Sequence, residues 1–235
     1  MIKIENVVTP SSEQWKALIL GARNAMNSWN RSDSKFYDDV DFDPDDYIGP
    51  GMYLIGPNDY ELMMRLRNAG TDHRKFMRMI TVYLDITAPL YWWKEFDTYK
   101  VGTVANSCST MHRIHSKEFT LEDFSYEHLL EPKDVHVPND SCCNWNWEGC
   151  GIISPIDILD ETISMLNKAR KMFLETKDKK YWWQMIQLLP SSYNQKRTVM
   201  LNMRYWLISI NLVRIINLIA GAIFVRGSKP CRIVN

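Results

Sequence analysis

The stretch "RMITVYLDITAPLYWWKEF", residues Arg78–Phe96, carries the strongest secondary-structure pattern in the sequence. Its first half alternates between apolar residues and mostly polar ones, the apolar set being Ile80, Val82, Leu84 and Ile86. A period of two predicts a β-strand with one mainly apolar face. Pro89 suits the first turn of a helix, where its missing N–H needs no partner. The stretch therefore predicts a strand that leads directly into a helix.

Two further elements are predicted upstream of this stretch. The opening "MIKIENVVTP", residues 1–10, has no long apolar core of the kind a secretory signal carries, and it predicts a first strand. Ser11 followed by Gln14 forms a capping box that predicts a helix running to about Trp29.

An acidic segment rich in Asp, Pro and Gly covers about residues 30–52 and predicts a loop. After it, Asn58 with Glu61 predicts the cap of a second helix, which we expect to stop at Gly70. The region between the first helix and the central strand is therefore expected to hold one loop and one helix.

Downstream, three helices are predicted. Ser154 and Pro155 begin an amphipathic helix. The run "YWWQMIQLL" predicts a second helix that stops at Pro190, and a third is expected after "SSYNQK", carrying the apolar segment Tyr205–Val225. The fold class is thus α+β with a helical C-terminal half. We expect one domain over residues 1–235, with a Cys/Trp-rich loop around residues 136–152.

Composition limits the possible partners. The 235 residues include 28 Lys and Arg and 28 Asp and Glu, so the formal net charge is zero. No overall electrostatic field therefore attracts nucleic acid or an anionic membrane. The segment Tyr205–Val225 contains Arg214 and two asparagines, which favours a buried helix over a membrane span. The five cysteines are an odd number, and we expect reduced thiols and a cytoplasmic location.

Neither of two metal-like patterns is complete. Asp39, Asp41 and Asp43 have the alternate spacing of a calcium loop, but Pro44 stands where that loop needs Gly. The spacing of a second set matches no common zinc site, and its members are His128, His136, Cys142, Cys143 and Cys150. A solvated acidic loop and free thiols are therefore expected, with no metal bound.

The sequence contains no Gly-rich phosphate loop, nucleophile elbow or paired helical histidines, so any chemistry is expected to belong to a cofactor.

Two blocks of residues resemble the flavin-dependent thymidylate synthases. In that family an Ala-Pro opens a helix, and an Arg-His-Arg triplet, a Ser, an Asn-Glu pair, a second Ser and an Arg-Tyr follow. The corresponding residues here are Ala88-Pro89, Thr98-Tyr99-Lys100, Thr103, Asn106-Ser107, Ser109 and His112 or Arg113.

The second block matches the spacing of the family more closely. Leu189-Pro190 is followed at the family's distance by Asn202-Met203-Arg204, which the family places in a long helix. Asn211-Leu212 and Arg214 echo its Asn-Leu-Arg, and His73 stands where the family has a flavin-contacting His.

The resemblance implies a thymidylate synthase-complementing-like fold, with a central, mainly antiparallel sheet flanked by helices. It implies an enzyme that binds FAD and methylates dUMP to dTMP, or modifies a related nucleotide at C5, with methylenetetrahydrofolate and NADPH as co-substrates. It also implies a homotetramer, whose sites lie between protomers. Nucleic acid and membrane are not expected as partners.

The resemblance also implies functional roles for the residues that stand at the family's motif positions. Ser109 is the implied catalytic residue. The implied flavin contacts are His73, Thr98, Tyr99, Lys100 and Asn202. The residues expected to bind the nucleotide are Glu95, Asn106, Arg113, Arg204 and Arg214.

Two departures keep other functions open. Thr98-Tyr99-Lys100 retains one cation where the family has Arg-His-Arg, and Ile186 stands where the family holds the nucleotide phosphate with Arg. A non-catalytic descendant with a binding or regulatory role is one alternative. A structural assembly subunit is another, because the many Trp and Met residues suit interfaces as well as cores.

Overall fold

The computed structural model describes residues 2–37, 41–43, 46–48, 51–98, 102–131 and 154–206. The strands are β1 (Lys3–Val8), β2 (Lys35–Phe36), β3 (Asp41–Asp43), β4 (Asp46–Ile48), β5 (Tyr53–Leu54), β6 (Thr81–Pro89), β7 (Thr103–Ser107) and β8 (Asn194–Asn202). The helices are α1 (Ser12–Arg23), α2 (Pro57–Asn68), α3 (Leu90–Phe96), α4 (Thr110–Arg113), α5 (Pro155–Thr176), α6 (Lys179–Leu188) and α7 (Met203–Trp206).

A four-stranded sheet in the order β1-β6-β8-β7 is the largest sheet in the described ranges. Two small antiparallel sheets, β2 with β5 and β3 with β4, fall in or beside the segment predicted as an acidic loop. The molecule is mixed α/β, with an antiparallel sheet and helices, which confirms the predicted fold class.

β6 confirms the strand predicted from alternation. Val82, Leu84, Ile86 and Ala88 are all buried on one face. The strand continues to Pro89, whose ψ of 153° is extended, so Pro89 is the N-cap of α3 and not part of its first turn as predicted. The first two N–H groups of α3 instead donate to the chain elsewhere, that of Leu90 to Tyr193 O and that of Tyr91 to Ser191 O, both at 3.0 Å.

The third C-terminal helix was predicted in the wrong place, because residues 194–202 form strand β8. β8 lies between β6 and β7, and Gln195, Val199 and Leu201 on alternate positions are buried. The β-branched residues Thr198 and Val199 at its centre suit a pleated strand with one buried face. Asn202 therefore ends a strand, whereas Met203 and Arg204 begin α7. Most of the apolar segment Tyr205–Val225 lies outside the described residues.

The chain divides into two compact units. The first unit comprises Met1–Ile4, Ile86–Thr98 and Asn106–Thr198, and the second comprises Glu5–Asp85, Tyr99–Ala105 and Val199–Asn235.

α5 and α6 supply much of the core of the first unit. The helix begins at Ser154 and Pro155 as predicted, and Ser154 and Asp157 form a capping box that the sequence analysis did not predict. Leu166 of α5 and Met185 of α6 are fully buried in the same cluster as Phe124. Ile186 is partly buried and packs against the edge of that cluster, so its side chain contributes to the hydrophobic core.

α1 and α2 build the core of the second unit with the helical turn His73–Arg78. The capping box at Ser11 is present as predicted, but α1 ends at Arg23, where a short 3-10 turn replaces its predicted extension. α2 begins at Pro57, so its N-cap is Gly56 and not Asn58 as predicted, and the Asp33 carboxylate accepts the N–H groups of Asn58 and Asp59. Gly70 follows the end of α2 with φ +109°, as a stop requires.

Asp59 lies at the centre of a buried polar cluster in the second unit. Its carboxylate pairs with Arg23 and accepts hydrogen bonds from the hydroxyls of Ser32 and Ser34 at 2.7 and 2.6 Å. Burial raises the pKa of Asp59, but the bonds from Ser34, Ser32 and Arg23 outweigh it and lower the pKa below its ordinary value. Through these bonds, Asp59 links residues 32–34 and α1 to the start of α2.

The remaining predictions concern metals, cysteines and membranes. Within the described ranges, no group of three His, Cys, Asp or Glu residues is placed to hold a metal, and Cys108 is an exposed free thiol. Asp39, His136 and the other four cysteines lie outside those ranges. No helix in the described part of the chain is long and apolar enough to cross a bilayer.

Candidate functional site

The end of β7 and the short helix α4 that follows it carry three predicted site residues, Asn106, Ser109 and Arg113. Ser109 is the N-cap of the four-residue helix α4, and its Oγ accepts the N–H of His112 at 3.0 Å. Asn106 and Arg113, on either side, are exposed. A hydroxyl has one proton and two lone pairs, so capping occupies one lone pair of Ser109 and leaves its proton for another acceptor.

The end of α3 carries two more predicted residues. Thr98 Oγ donates to Glu95 O at 2.7 Å, and the Thr98 N–H donates to the same carbonyl at 3.0 Å. Both side chains are exposed. The Thr98 hydroxyl therefore closes the end of the helix. Tyr99 and Lys100 lie outside the described residues, as does Arg214.

Arg197 on β8 is a cation near these residues that the sequence analysis missed. Its Nη1 donates to both carboxylate oxygens of Asp97, at 2.8 and 3.1 Å. Its guanidinium carbon lies 4.2 Å from the centroid of the Trp93 ring, and its Nε donates to Gln195 Oε1 at 2.9 Å. An ion pair, a ring face and an amide thus hold this guanidinium in one orientation.

Gln195 connects this arrangement to the Ser109 turn. Gln195 Nε2 donates to Cys108 O at 2.9 Å, and the Cys108 N–H donates to Lys196 O at 3.0 Å. The carbonyl of Gln195 accepts the indole N–H of the fully buried Trp93 at 2.9 Å. β8 therefore fixes both α3 and the residue that precedes Ser109. The spacing Gln-x-Arg, which puts both side chains on one face of a strand, was the available sequence signal.

Asn202, at the end of β8, is the predicted flavin contact that the structure buries. It is 8% exposed, and its side-chain Nδ2 donates to Gly102 O at 3.3 Å. Its Oδ1 is buried with no hydrogen-bond partner among the described residues. Gly102 has a φ of +83°, a conformation that favours glycine. An unpaired buried carbonyl costs about 1–3 kcal/mol, so an N–H donor is expected to meet Asn202.

The two other predicted residues of the second unit are less buried. His73 begins the helical turn His73–Arg78 and is exposed. Arg204 in the first turn of α7 is half-buried, and the preceding Met203 N–H donates to Ile80 O at 3.0 Å. The predicted residues thus fall into a set in the first unit, around Ser109 and the end of α3, and a set in the second unit that includes Asn202.

Comparison with known proteins gives structural likenesses alone. No protein-family model and no curated protein matches the chain. Thymidylate synthase X from Helicobacter pylori, solved with FAD and dUMP, is 14% identical, with 86% of this chain and 78% of that chain covered and a TM-score of 0.49. The UMP/dUMP methylase PolB from Streptomyces cacaoi, bound to 5-Br UMP, is 12% identical, with coverages of 87% and 73% and a TM-score of 0.47. At these identities and TM-scores, neither structure identifies a site residue of this chain.

Proposed function

We infer that this chain binds FAD and a pyrimidine nucleotide, and that it methylates the nucleotide at C5, converting dUMP to dTMP. Methylenetetrahydrofolate would donate the carbon and NADPH the reducing equivalents. Support comes from the order of the motif residues, from His73 through Ala88-Pro89 and Ser109 to Asn202, which resembles that of flavin-dependent thymidylate synthases. The observation that carries the proposal is the buried Oδ1 of Asn202, which has no hydrogen-bond partner among the described residues.

The Asn202 amide fits a flavin ring. The ring system of a flavin carries an N–H flanked by carbonyl groups, and Asn202 Oδ1 is an acceptor that lacks a donor among the described residues. Burial strengthens such a bond because water does not compete for the acceptor. Bound flavin would supply the one-carbon transfer and redox chemistry, and the protein would supply position and electrostatics.

The residues of the chain would divide the remaining tasks. His73 and Lys100 offer donors for the flavin diphosphate, and Tyr99 offers a ring face for stacking. In the first unit, Ser109 would donate its hydroxyl proton, and Arg113 a charge-assisted hydrogen bond, to the nucleotide phosphate. Asn106 would pair with an edge of the pyrimidine ring.

Titration with FAD tests the proposal, with binding followed by the flavin absorption band. Wild type should bind FAD, and Asn202→Leu should weaken binding by at least about tenfold, because it removes a hydrogen bond from a buried site. Asn194→Leu is the matched control, since Asn194 also lies on β8 and has a buried Oδ1 without a partner among the described residues. The proposal would be contradicted if wild type bound no FAD, or if Asn202→Leu and Asn194→Leu lost FAD affinity equally.

A second candidate function is nucleotide binding without catalysis, and two observations favour it. The hydroxyl of Thr98, at the position of the family's first triplet Arg, closes α3. Ile186, at the position of the phosphate-holding Arg, packs against the core. Both candidates predict nucleotide binding, and product formation separates them.

A further inference from the structure

Gln195 on β8 is a buried amide that links two other parts of the first unit. It is 6% exposed, its Oε1 accepts the Nε–H of Arg197 at 2.9 Å, and its Nε2 donates to Cys108 O at 2.9 Å. Cys108 stands directly before Ser109, to which the nucleotide phosphate was assigned above. The proposed function gives Gln195 no contact with a ligand, because both polar atoms of its side chain are engaged in these bonds.

The two partners fix the direction in which the Gln195 amide faces. A guanidinium only donates hydrogen bonds, so the atom beside Arg197 Nε is the amide oxygen. A backbone carbonyl only accepts, so the atom beside Cys108 O is the amide nitrogen. This position therefore needs a side chain that accepts on one side and donates on the other. A carboxylate of the same shape does only the first.

Helix α3 supports the Gln195 amide through Arg197. The Arg197 guanidinium pairs with Asp97 at 2.8 Å and lies 4.2 Å from the centroid of the Trp93 ring. The indole N–H of Trp93 also donates to the main-chain carbonyl of Gln195 at 2.9 Å. Both the backbone and the side chain of Gln195 are therefore held in place, and its amide nitrogen reaches Cys108 from a fixed position.

The bond to Cys108 O sets the path of the chain into Ser109. A peptide group is planar, so a single plane contains the Cys108 carbonyl and the N and Cα atoms of Ser109. The Cys108 N–H is bound as well, to Lys196 O at 3.0 Å. Cys108 and Ser109 are exposed, so these two bonds, more than side-chain packing, hold the segment before α4.

We propose that Gln195 is a positioning residue of the nucleotide site, which acts through the Cys108 peptide group on the Ser109 hydroxyl. This inference rests on the proposed binding of the nucleotide phosphate by Ser109. A hydroxyl that is already in place when the phosphate arrives lowers the entropic cost of binding. Loss of the bond to Cys108 O therefore weakens the contact with the phosphate and leaves the other contacts of the nucleotide unchanged.

Isothermal titration with dUMP and with deoxyuridine, which lacks the phosphate, tests this role. Gln195→Glu keeps an acceptor for Arg197 but places a carboxylate oxygen against Cys108 O, and two acceptors repel each other. The variant should lose at least about tenfold in dUMP affinity, as expected for loss of a hydrogen bond to a charged group, and should bind deoxyuridine as wild type does.

Asn194→Asp is the matched control for this variant. The Asn194 amide also donates to a backbone carbonyl, that of Glu122 at 3.5 Å, so the same chemical change is made next to Gln195 but away from Cys108 O. Asn194→Asp should bind dUMP with wild-type affinity.

Combination with Ser109→Ala distinguishes positioning from general destabilisation. If Gln195 acts through the Ser109 hydroxyl, Gln195→Glu should cost no further dUMP affinity once that hydroxyl is absent. If Gln195→Glu does not fold, Gln195→Met, which removes the donor without adding a charge, should show the same non-additive loss. Additive losses, or wild-type dUMP affinity in the folded single variant, would overturn the inference and leave the proposed function standing. Absence of dUMP binding by wild type would instead overturn the Ser109 site, and this inference with it.

Discussion

At the scale of single residues, Ser109 caps α4, and we propose that it also binds the nucleotide phosphate. Its Oγ accepts the N–H of His112, which leaves the hydroxyl proton available for the proposed bond to a phosphate oxygen. Ser109→Ala should weaken dUMP binding by about tenfold or more and lower the free energy of unfolding by about 1 kcal/mol, the usual value of an N-cap. Ser109→Thr, which keeps cap and hydroxyl, is the control. Wild-type dUMP affinity in Ser109→Ala, measured by titration, would remove Ser109 from the site.

Asp59 gives a pH dependence at the same scale. Its pKa in the folded protein is lowered from its ordinary value, so its contribution to stability is present above about pH 4 and is lost as pH falls through the folded pKa. Asp59→Asn should therefore be much less stable than wild type at neutral pH, with the difference shrinking in acid. Urea unfolding at a series of pH values measures this. A difference that stays constant from neutral pH to pH 3 would contradict the assignment.

At the scale of secondary-structure elements, the sequence predicts those helices and strands whose patterns involve residues close together in the chain. The capping box of α1, the start of α5 at Ser154 and Pro155, and the alternation of β6 involve neighbours in sequence, and all three are present. β8 was predicted wrongly because Gln195 and Arg197 put polar groups on its buried side. The Gln195 side chain donates to Cys108 O, and the Arg197 guanidinium pairs with Asp97 and lies over the Trp93 ring; no local pattern contains these contacts.

The α5–α6 pair allows a test of packing at this scale. Leu166 is fully buried in the core of the first unit, whereas its neighbour Met165 is 49% exposed. Leu166→Ala should lower the free energy of unfolding by about 2–5 kcal/mol, because it leaves a cavity between the helices. Met165→Ala should change it by less than about 0.5 kcal/mol. Similar losses in both variants would mean that α5 is oriented differently about its axis.

At the scale of the whole molecule, we expect a homotetramer with its sites at subunit boundaries. The resemblance implies this assembly, and the apolar segment Tyr205–Val225 offers more hydrophobic surface than one small domain readily covers. Because large obligate interfaces are hydrophobic, the tetramer should persist when salt screens surface charges. Light scattering at micromolar concentration in low and high salt provides the measurement. A monomer in either condition would argue against shared sites.

The central claim is that this chain methylates a pyrimidine nucleotide with the help of a bound flavin. Purified protein saturated with FAD should be incubated with dUMP, NADPH and methylenetetrahydrofolate carrying a labelled methylene carbon, and the nucleotide analysed by mass spectrometry. We predict dTMP with the label in its 5-methyl group, and none when FAD or NADPH is omitted. Recovery of unchanged dUMP from protein that binds both FAD and dUMP would contradict the claim and assign the chain to the non-catalytic alternative.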